Sequence, residues 1–316
     1  MEFGLTTASR VLIAGDRHFT GAAIARRLAG QALALVTGTE REHATWSDAD
    51  AVEAAFAEAR PTHVFLCGGL AAGILGNQRF PATLIRDNLL VNTLVIEAAR
   101  RHGVERLLYL ASSCVYPKLA PQPMTPSSLV TGPFEPTNAA YATAKLAGLM
   151  LVQAYRREYG CRYISVIPAN LYGPGEDMNP EDAHVIPALM HRMHAARESN
   201  AAHIEIWGTG QARREFVYID DVADACVFLM ERYDADEPVN AGGGVDLSIA
   251  ELAAEIRNVV GFAGELRFDR SKPDGMPFKA LDSSVLLGMG WRPSMSLPEA
   301  LRRTYSAALS STGAPS

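Results

Sequence analysis

Tyr141 and Lys145 stand four residues apart, so in a helix their side chains share one face. Upstream, Ser112-Ser113-Cys114 follows the apolar run Leu107–Leu110, which reads as a buried strand. A hydroxyl at a strand end, facing a phenol and an ammonium on a helix, can move a proton to or from an oxygen. A free phenol has a pKa of about 10 and needs a nearby cation to act near neutrality.

The elements that must position these groups alternate strand and helix. Arg10–Gly15, Ala32–Val36, Thr62–Leu66, Leu107–Ala111 and Tyr163–Pro168 read as strands, separated by helical stretches from Gly21, at 51–60, 84–101 and 139–160. On the 84–101 helix Ile85, Leu89 and Ile96 form an apolar stripe, with Asn92 its polar exception. Such alternation predicts right-handed βαβ units and an α/β fold with a Rossmann-type, doubly wound parallel sheet. Ligands then bind at the carboxyl ends of the strands, where Gly15, Cys67-Gly68-Gly69, Ser112 and Ala169-Asn170 fall. After Pro168 the chain turns loop-like, followed by a helix from His184, short strands at 204–207, 215–218 and 239–240, and a helix over 221–233. Ser248 and Glu251 form a capping box that opens a helix to Val260.

With 316 residues and 48% apolar content, the chain can bury a full core. A net charge of −6 argues against a nucleic-acid partner, since no basic surplus neutralises phosphates. No apolar run reaches the roughly 18 residues of a membrane span, and residues 1–9 are too short and polar for a secretory signal. The four cysteines lack CxxC or His pairing, which suits a reducing cytoplasm and no structural metal.

Gly15-Asp16-Arg17-His18-Phe19-Thr20-Gly21 lies between a strand and a helix, the context of a dinucleotide turn. In G-x-x-G-x-x-G the first and third glycines are present and His18 takes the middle place. An ordinary strand-to-helix turn is the plainer reading of these residues alone. No acid follows the second strand directly, while Arg41 and Arg17 are candidates for a ribose 2′-phosphate; the preference is NADP(H), with NAD(H) open.

Tyr-x-x-x-Lys at a helix start with a serine-rich strand end upstream resembles the extended short-chain dehydrogenase/reductase superfamily. Closer likeness is to its GDP-L-fucose synthase branch. It is carried by Ser112–Ala120 with Gln122-Pro123-Met124, Glu135-Pro136-Thr137-Asn138, Asn170–Pro174, His184–Leu189, Arg214-Glu215-Phe216 with Asp220-Asp221, and Ser271–Gly275. It runs from about Arg10 to Tyr305.

The resemblance implies an epimerase/reductase acting on a GDP-linked 4-keto-6-deoxy sugar, with 3,5-epimerisation followed by NADPH-dependent C4 reduction. It implies Tyr141 as acid or base, Lys145 lowering its pKa and holding the nicotinamide ribose, and Ser112 on the reacting oxygen. Cys114 becomes the epimerisation base and His184 the acid, both side-chain types that titrate near neutrality in suitable surroundings. Read without the resemblance, Cys114 is a small buried hydrophobe and His184 a helix N-terminal residue. Arg192, Arg214 and Lys279 are the implied diphosphate cations, with Asn170 and Trp207 as further substrate contacts. A homodimer through the helices at 84–101 and 139–160 is what the superfamily suggests.

The resemblance also divides the chain. Residues 1–168 with about 215–241 form an NADP-binding Rossmann domain, 169–214 with 242–309 a nucleotide-sugar-binding domain, and 310–316 a flexible tail. Leu70 stands where the family usually has Lys, and Phe278 where a basic residue precedes Lys279, which points to a changed substrate or a weaker phosphate grip. Two other readings stay open: an epimerase-only or reductase-only variant on another 4-keto nucleotide sugar, and a non-catalytic nucleotide-sugar or dinucleotide-binding protein.

Overall fold

Strands that carry apolar side chains at successive positions must be covered on both faces, which a parallel sheet between helices provides. The computed structural model describes residues 4–37, 46–176, 184–272, 274 and 276–312. Strands β1 (Arg10–Ala14), β2 (Ala34–Thr37), β3 (His63–Leu66), β4 (Arg106–Leu110), β5 (Arg162–Pro168) and β9 (Val239–Ala241) form one parallel sheet in the order β2-β1-β3-β4-β5-β9. Its register aligns Ile13 with Phe65, Phe65 with Leu108 and Leu108 with Ile164, so one apolar row crosses the centre. The strand order reverses between β1 and β3, the place where such sheets open a crevice at their carboxyl ends.

Helix α1 (Phe19–Leu28) packs against α7 (Ile219–Arg232). Helix α4 (Pro81–Arg101) packs against α2 (Ala49–Ala59) and α5 (Ala139–Tyr159). The buried face of α4 is Leu84, Asn88, Val91, Asn92, Val95 and Ile96; it includes Asn92 and Ile96 of the expected stripe, while Ile85 and Leu89 are half-buried. Asn92 is tolerated on that face because both N–H groups of its amide find acceptors: the Tyr109 hydroxyl at 3.2 Å and the Ala144 carbonyl at 3.0 Å. No helix among the described residues is long and apolar enough to cross a membrane.

The rest of the chain builds small sheets on the carboxyl side of β5. The stretch after Pro168 is not all loop: Asn170–Tyr172 is strand β6, paired with β8 (Arg213–Tyr218). Strand β8 also pairs with β10 (Asp246–Ser248) and β12 (Phe278–Lys279), so residues 215–218 belong to this sheet rather than to the main one. Its charged residues find partners there: Arg213 pairs with Asp246 and Glu251, and buried Glu215 accepts the Gly244 and Leu281 N–H groups. Strand β7 (His203–Trp207) pairs with β11 (Glu265–Asp269). Helices α6 (Val185–Glu198) and α10 (Leu297–Thr312) pack on α8 (Ile249–Val260), which carries the expected capping box. Helix α10 includes residues 310–312, the first part of the expected tail; residues 313–316 lie outside the described residues. Two further helices are short, α3 (Ile74–Arg79) and α9 (Ser284–Gly288).

Candidate active site

At the end of β4 the chain turns through a single 3-10 turn, Ser113–Val115, whose N-cap is Ser112. The Ser112 hydroxyl accepts the Cys114 N–H at 3.3 Å, which fixes both residues on one tight loop. Helix α5 starts close by and projects Tyr141 and Lys145 from the same face. The Tyr141 phenol lies near enough to Ser112 and Cys114 for both to act on its ionisation. Buried Lys145 donates to the Leu110 carbonyl at 3.2 Å, with its ammonium 6.0 Å from the Tyr141 ring centre. The structure therefore gathers Ser112, Cys114, Tyr141 and Lys145 into one cluster.

Burial sets the protonation of this cluster. It raises the Tyr141 phenol well above its ordinary value; the neighbouring Cys114 acts in the same direction, and the Ser112 hydroxyl opposes both. The same cause brings Lys145 down to about 8, partly offset by Cys67. The expected lowering of the Tyr141 pKa by Lys145 is thus not what the protein alone produces. The ammonium is directed to Leu110, and its own burial weakens it as a cation. A protonated phenol at neutral pH is nonetheless the form that can give a proton to a carbonyl oxygen.

His184 stands on another element, at the N-cap of α6. Its Nδ1 lies 2.8 Å from a Glu176 carboxylate oxygen, with the histidine side chain 60% exposed and the glutamate 7%. The bond to Glu176 raises the His184 pKa, against a smaller opposing effect of burial. This pairing favours the imidazolium, an acid.

The glycine turn fits an anion. Gly15 has φ +100°, and a Cβ there would stand 2.6 Å from the Gly68 backbone. A Cβ on Gly21 would stand 2.0 Å from the Gly15 carbonyl oxygen, so only glycine allows the helix this close to the strand. The amino end of α1 has neither a side-chain cap nor an acid in its first turn, leaving its N–H groups to face an anion. His18 is its N-cap residue; the ring lies beside Gly15, 3.0 Å from where a Gly15 Cβ would be. Arg17 is exposed, and Arg41 lies outside the described residues.

Beside the cluster, a cleft is lined by Ser113, Met124, Asn170, Glu215 and Lys279 among others. Asn170 donates to the Glu215 carbonyl at 2.8 Å. Lys279 is the register partner of Arg214 across β12 and β8, which sets two cations side by side. Arg214 donates to the Arg213 carbonyl at 2.8 Å, and burial lowers its pKa. Arg192 and Trp207 stand on α6 and β7: Arg192 donates to the Glu205 carbonyl, and Trp207 is 69% exposed with Lys272 5.6 Å above its ring.

Several residues that hold the site escape a linear reading. Tyr109 donates to the Lys145 carbonyl at 3.2 Å, and Gly148 allows α5 to rest on its ring. Asn138 donates to the Cys114 sulfur at 3.2 Å, and Glu176 holds His184. The signal for Asn92 was its polar place on an apolar stripe; the other partnerships are long-range and leave none.

The sequence pattern of the NAD dependent epimerase/dehydratase family matches residues 11–242. GDP-L-fucose synthase 1 of Arabidopsis thaliana is 46% identical over 299 residues, covering 94% of this chain and 92% of the relative. GDP-L-fucose synthase of Escherichia coli (strain K12) is 43% identical over 305 residues, 94% and 95% of the two chains. The crystal structure of a GDP-L-fucose synthetase from Naegleria fowleri bound to NADP superimposes with a TM-score of 0.90 at 28% identity, covering 98% of this chain and 96% of that one. The chain belongs to the NAD dependent epimerase/dehydratase family and, within it, to the GDP-L-fucose synthase branch of the extended short-chain dehydrogenase/reductases.

Proposed function

We propose that this enzyme epimerises C3 and C5 of a GDP-linked 4-keto-6-deoxy sugar and then reduces its C4 ketone with NADPH. The observation that carries this reading is the cluster of Cys114 with Ser112 and Tyr141: a carbon base beside the pair that binds a carbonyl oxygen. In this reading Ser112 and Tyr141 hold O4. The Cys114 thiolate takes a proton from a flanking carbon, leaving an enolate on O4. The His184 imidazolium, kept charged by Glu176, returns a proton to the opposite face. Bound NADPH supplies a hydride to C4. Tyr141 then gives its proton to O4, and Lys145 offsets the resulting phenolate charge.

The glycine turn at 15–21 and the α1 amino end would hold the cofactor diphosphate, with Lys145 on the ribose. Arg17 and Arg41 are the candidates for the 2′-phosphate. Arg192, Arg214 and Lys279 would grip the substrate diphosphate, with Asn170 and Trp207 as neutral contacts. The cofactor half comprises 1–168 and the segment from α7 to β9, and the sugar-nucleotide half the remainder. A homodimer through α4 and α5 and a cytoplasmic location complete the proposal. The test is to mix enzyme, NADPH and GDP-4-keto-6-deoxymannose and follow nicotinamide absorbance. Loss of absorbance in step with product is expected; no oxidation with any 4-keto nucleotide sugar contradicts the reductase assignment.

A further inference from the structure

Asn138 occupies the N-cap position of α5, three residues before Tyr141. Asparagine is among the best N-caps because its side-chain oxygen accepts a first-turn N–H. Here the side chain makes no such bond. Its Oδ1 is buried with no hydrogen-bond partner among the described residues, while its Nδ2 donates to the Cys114 sulfur at 3.2 Å. The residue thus forgoes a local bond to reach a sulfur 24 positions away in the chain. The Cys114 N–H bond to Ser112 fixes the cysteine backbone but not its sulfur.

We propose that Asn138 is a positioning residue for the epimerisation half-reaction, holding the Cys114 sulfur in place and favouring its thiolate. The proposal rests on the function argued above. An amide N–H stabilises a sulfur anion more than a neutral thiol, because the donor faces the charge. Of the charged and titratable groups around this turn, Glu135 is paired with Lys118 at 3.0 Å, Tyr141 is in electrostatic contact with Cys114, and Lys145 is directed to Leu110. Like charges disfavour one another, so a thiolate at Cys114 helps keep the proton on Tyr141. Asn138 in this way also preserves the proton that ketone reduction consumes.

The experiment compares the wild type with Asn138→Ala and Asn138→Ser. Serine caps a helix as well as asparagine but cannot reach the sulfur, so it separates capping from sulfur donation. The first readout needs no substrate: the pH midpoint of Cys114 alkylation by iodoacetamide, followed by peptide mass spectrometry. Both variants are expected to shift that midpoint upward by about one pH unit. The second readout is solvent deuterium entering the carbons beside the ketone without NADPH, expected to fall about tenfold in kcat at little change in KM. An unmoved alkylation midpoint in both variants, or full activity in Asn138→Ser, overturns the proposal. Absence of deuterium exchange in the wild type would instead overturn the parent function, and the alkylation midpoint would still decide the role of Asn138.

Discussion

Gly148 rests directly on Tyr109: a Cβ at Gly148 would stand 2.4 Å from the phenol oxygen. Tyr109 is fully buried and bonded to Asn92 and to the Lys145 carbonyl, so it has nowhere to move. The height of α5 above β4, and with it the reach of Tyr141 and Lys145, is set by this contact. Gly148→Ala gains about 1 kcal/mol of helix propensity but adds an overpacking cost of about 1–3 kcal/mol. A Tm lowered by a few degrees, together with reduced kcat, is expected from thermal melts and steady-state assays. An unchanged Tm and kcat would contradict the contact.

In the proposed mechanism Tyr141 carries the proton for O4, whereas Cys114 and His184 carry those for carbon. Tyr141→Phe should therefore cut NADPH oxidation by about 10²-fold or more. Thermal melting should stay near wild type, because Phe keeps the ring. Undiminished NADPH oxidation would dismiss the assignment.

The Glu176 carboxylate raises the His184 pKa, so the imidazolium persists to higher pH than a free histidine. Epimerisation that needs this acid is lost as pH rises through the raised value. Glu176→Gln should move that alkaline limb toward lower pH, as read from deuterium exchange against pH. The linked stability has the same sign: it is present below the ordinary histidine range and lost as pH rises through the folded-state value. A limb that stays in place on Glu176→Gln would show that another group is the acid.

Lys279 and Arg214 meet across β12 and β8 beside the cleft. Removing one charged contact to a diphosphate, made equally in ground and transition state, should raise KM rather than lower kcat. For Lys279→Ala a rise of about tenfold in the nucleotide-sugar KM is expected from the typical strength of a charged hydrogen bond. A pure kcat effect would place Lys279 elsewhere in the reaction.

Tyr141, Lys145 and Ser112 were legible because helical periodicity and a strand end bring them together by local rules. The parallel sheet was legible for the same reason, each core strand being a run of apolar side chains. In the small sheets β7 and β8 were legible as short strands, whereas β6, β10 and β12 were not, since they span two or three residues and show no period. Helix α10 escaped because its stripe, Ala300, Leu301, Thr304 and Tyr305, mixes small and polar residues. Asn138 and Glu176 act through partners fixed only by the tertiary structure. The pKa of Tyr141 followed burial rather than the expected cation, because sequence spacing says nothing of desolvation.

The proposed function joins carbon epimerisation and ketone reduction in one enzyme. Its most direct measurement is turnover of GDP-4-keto-6-deoxymannose with NADPH in deuterium oxide, followed by NMR of the product sugar. The account predicts solvent deuterium at C3 and C5 and one NADPH oxidised for each product formed. NADPH oxidation with protium retained at both carbons would contradict it.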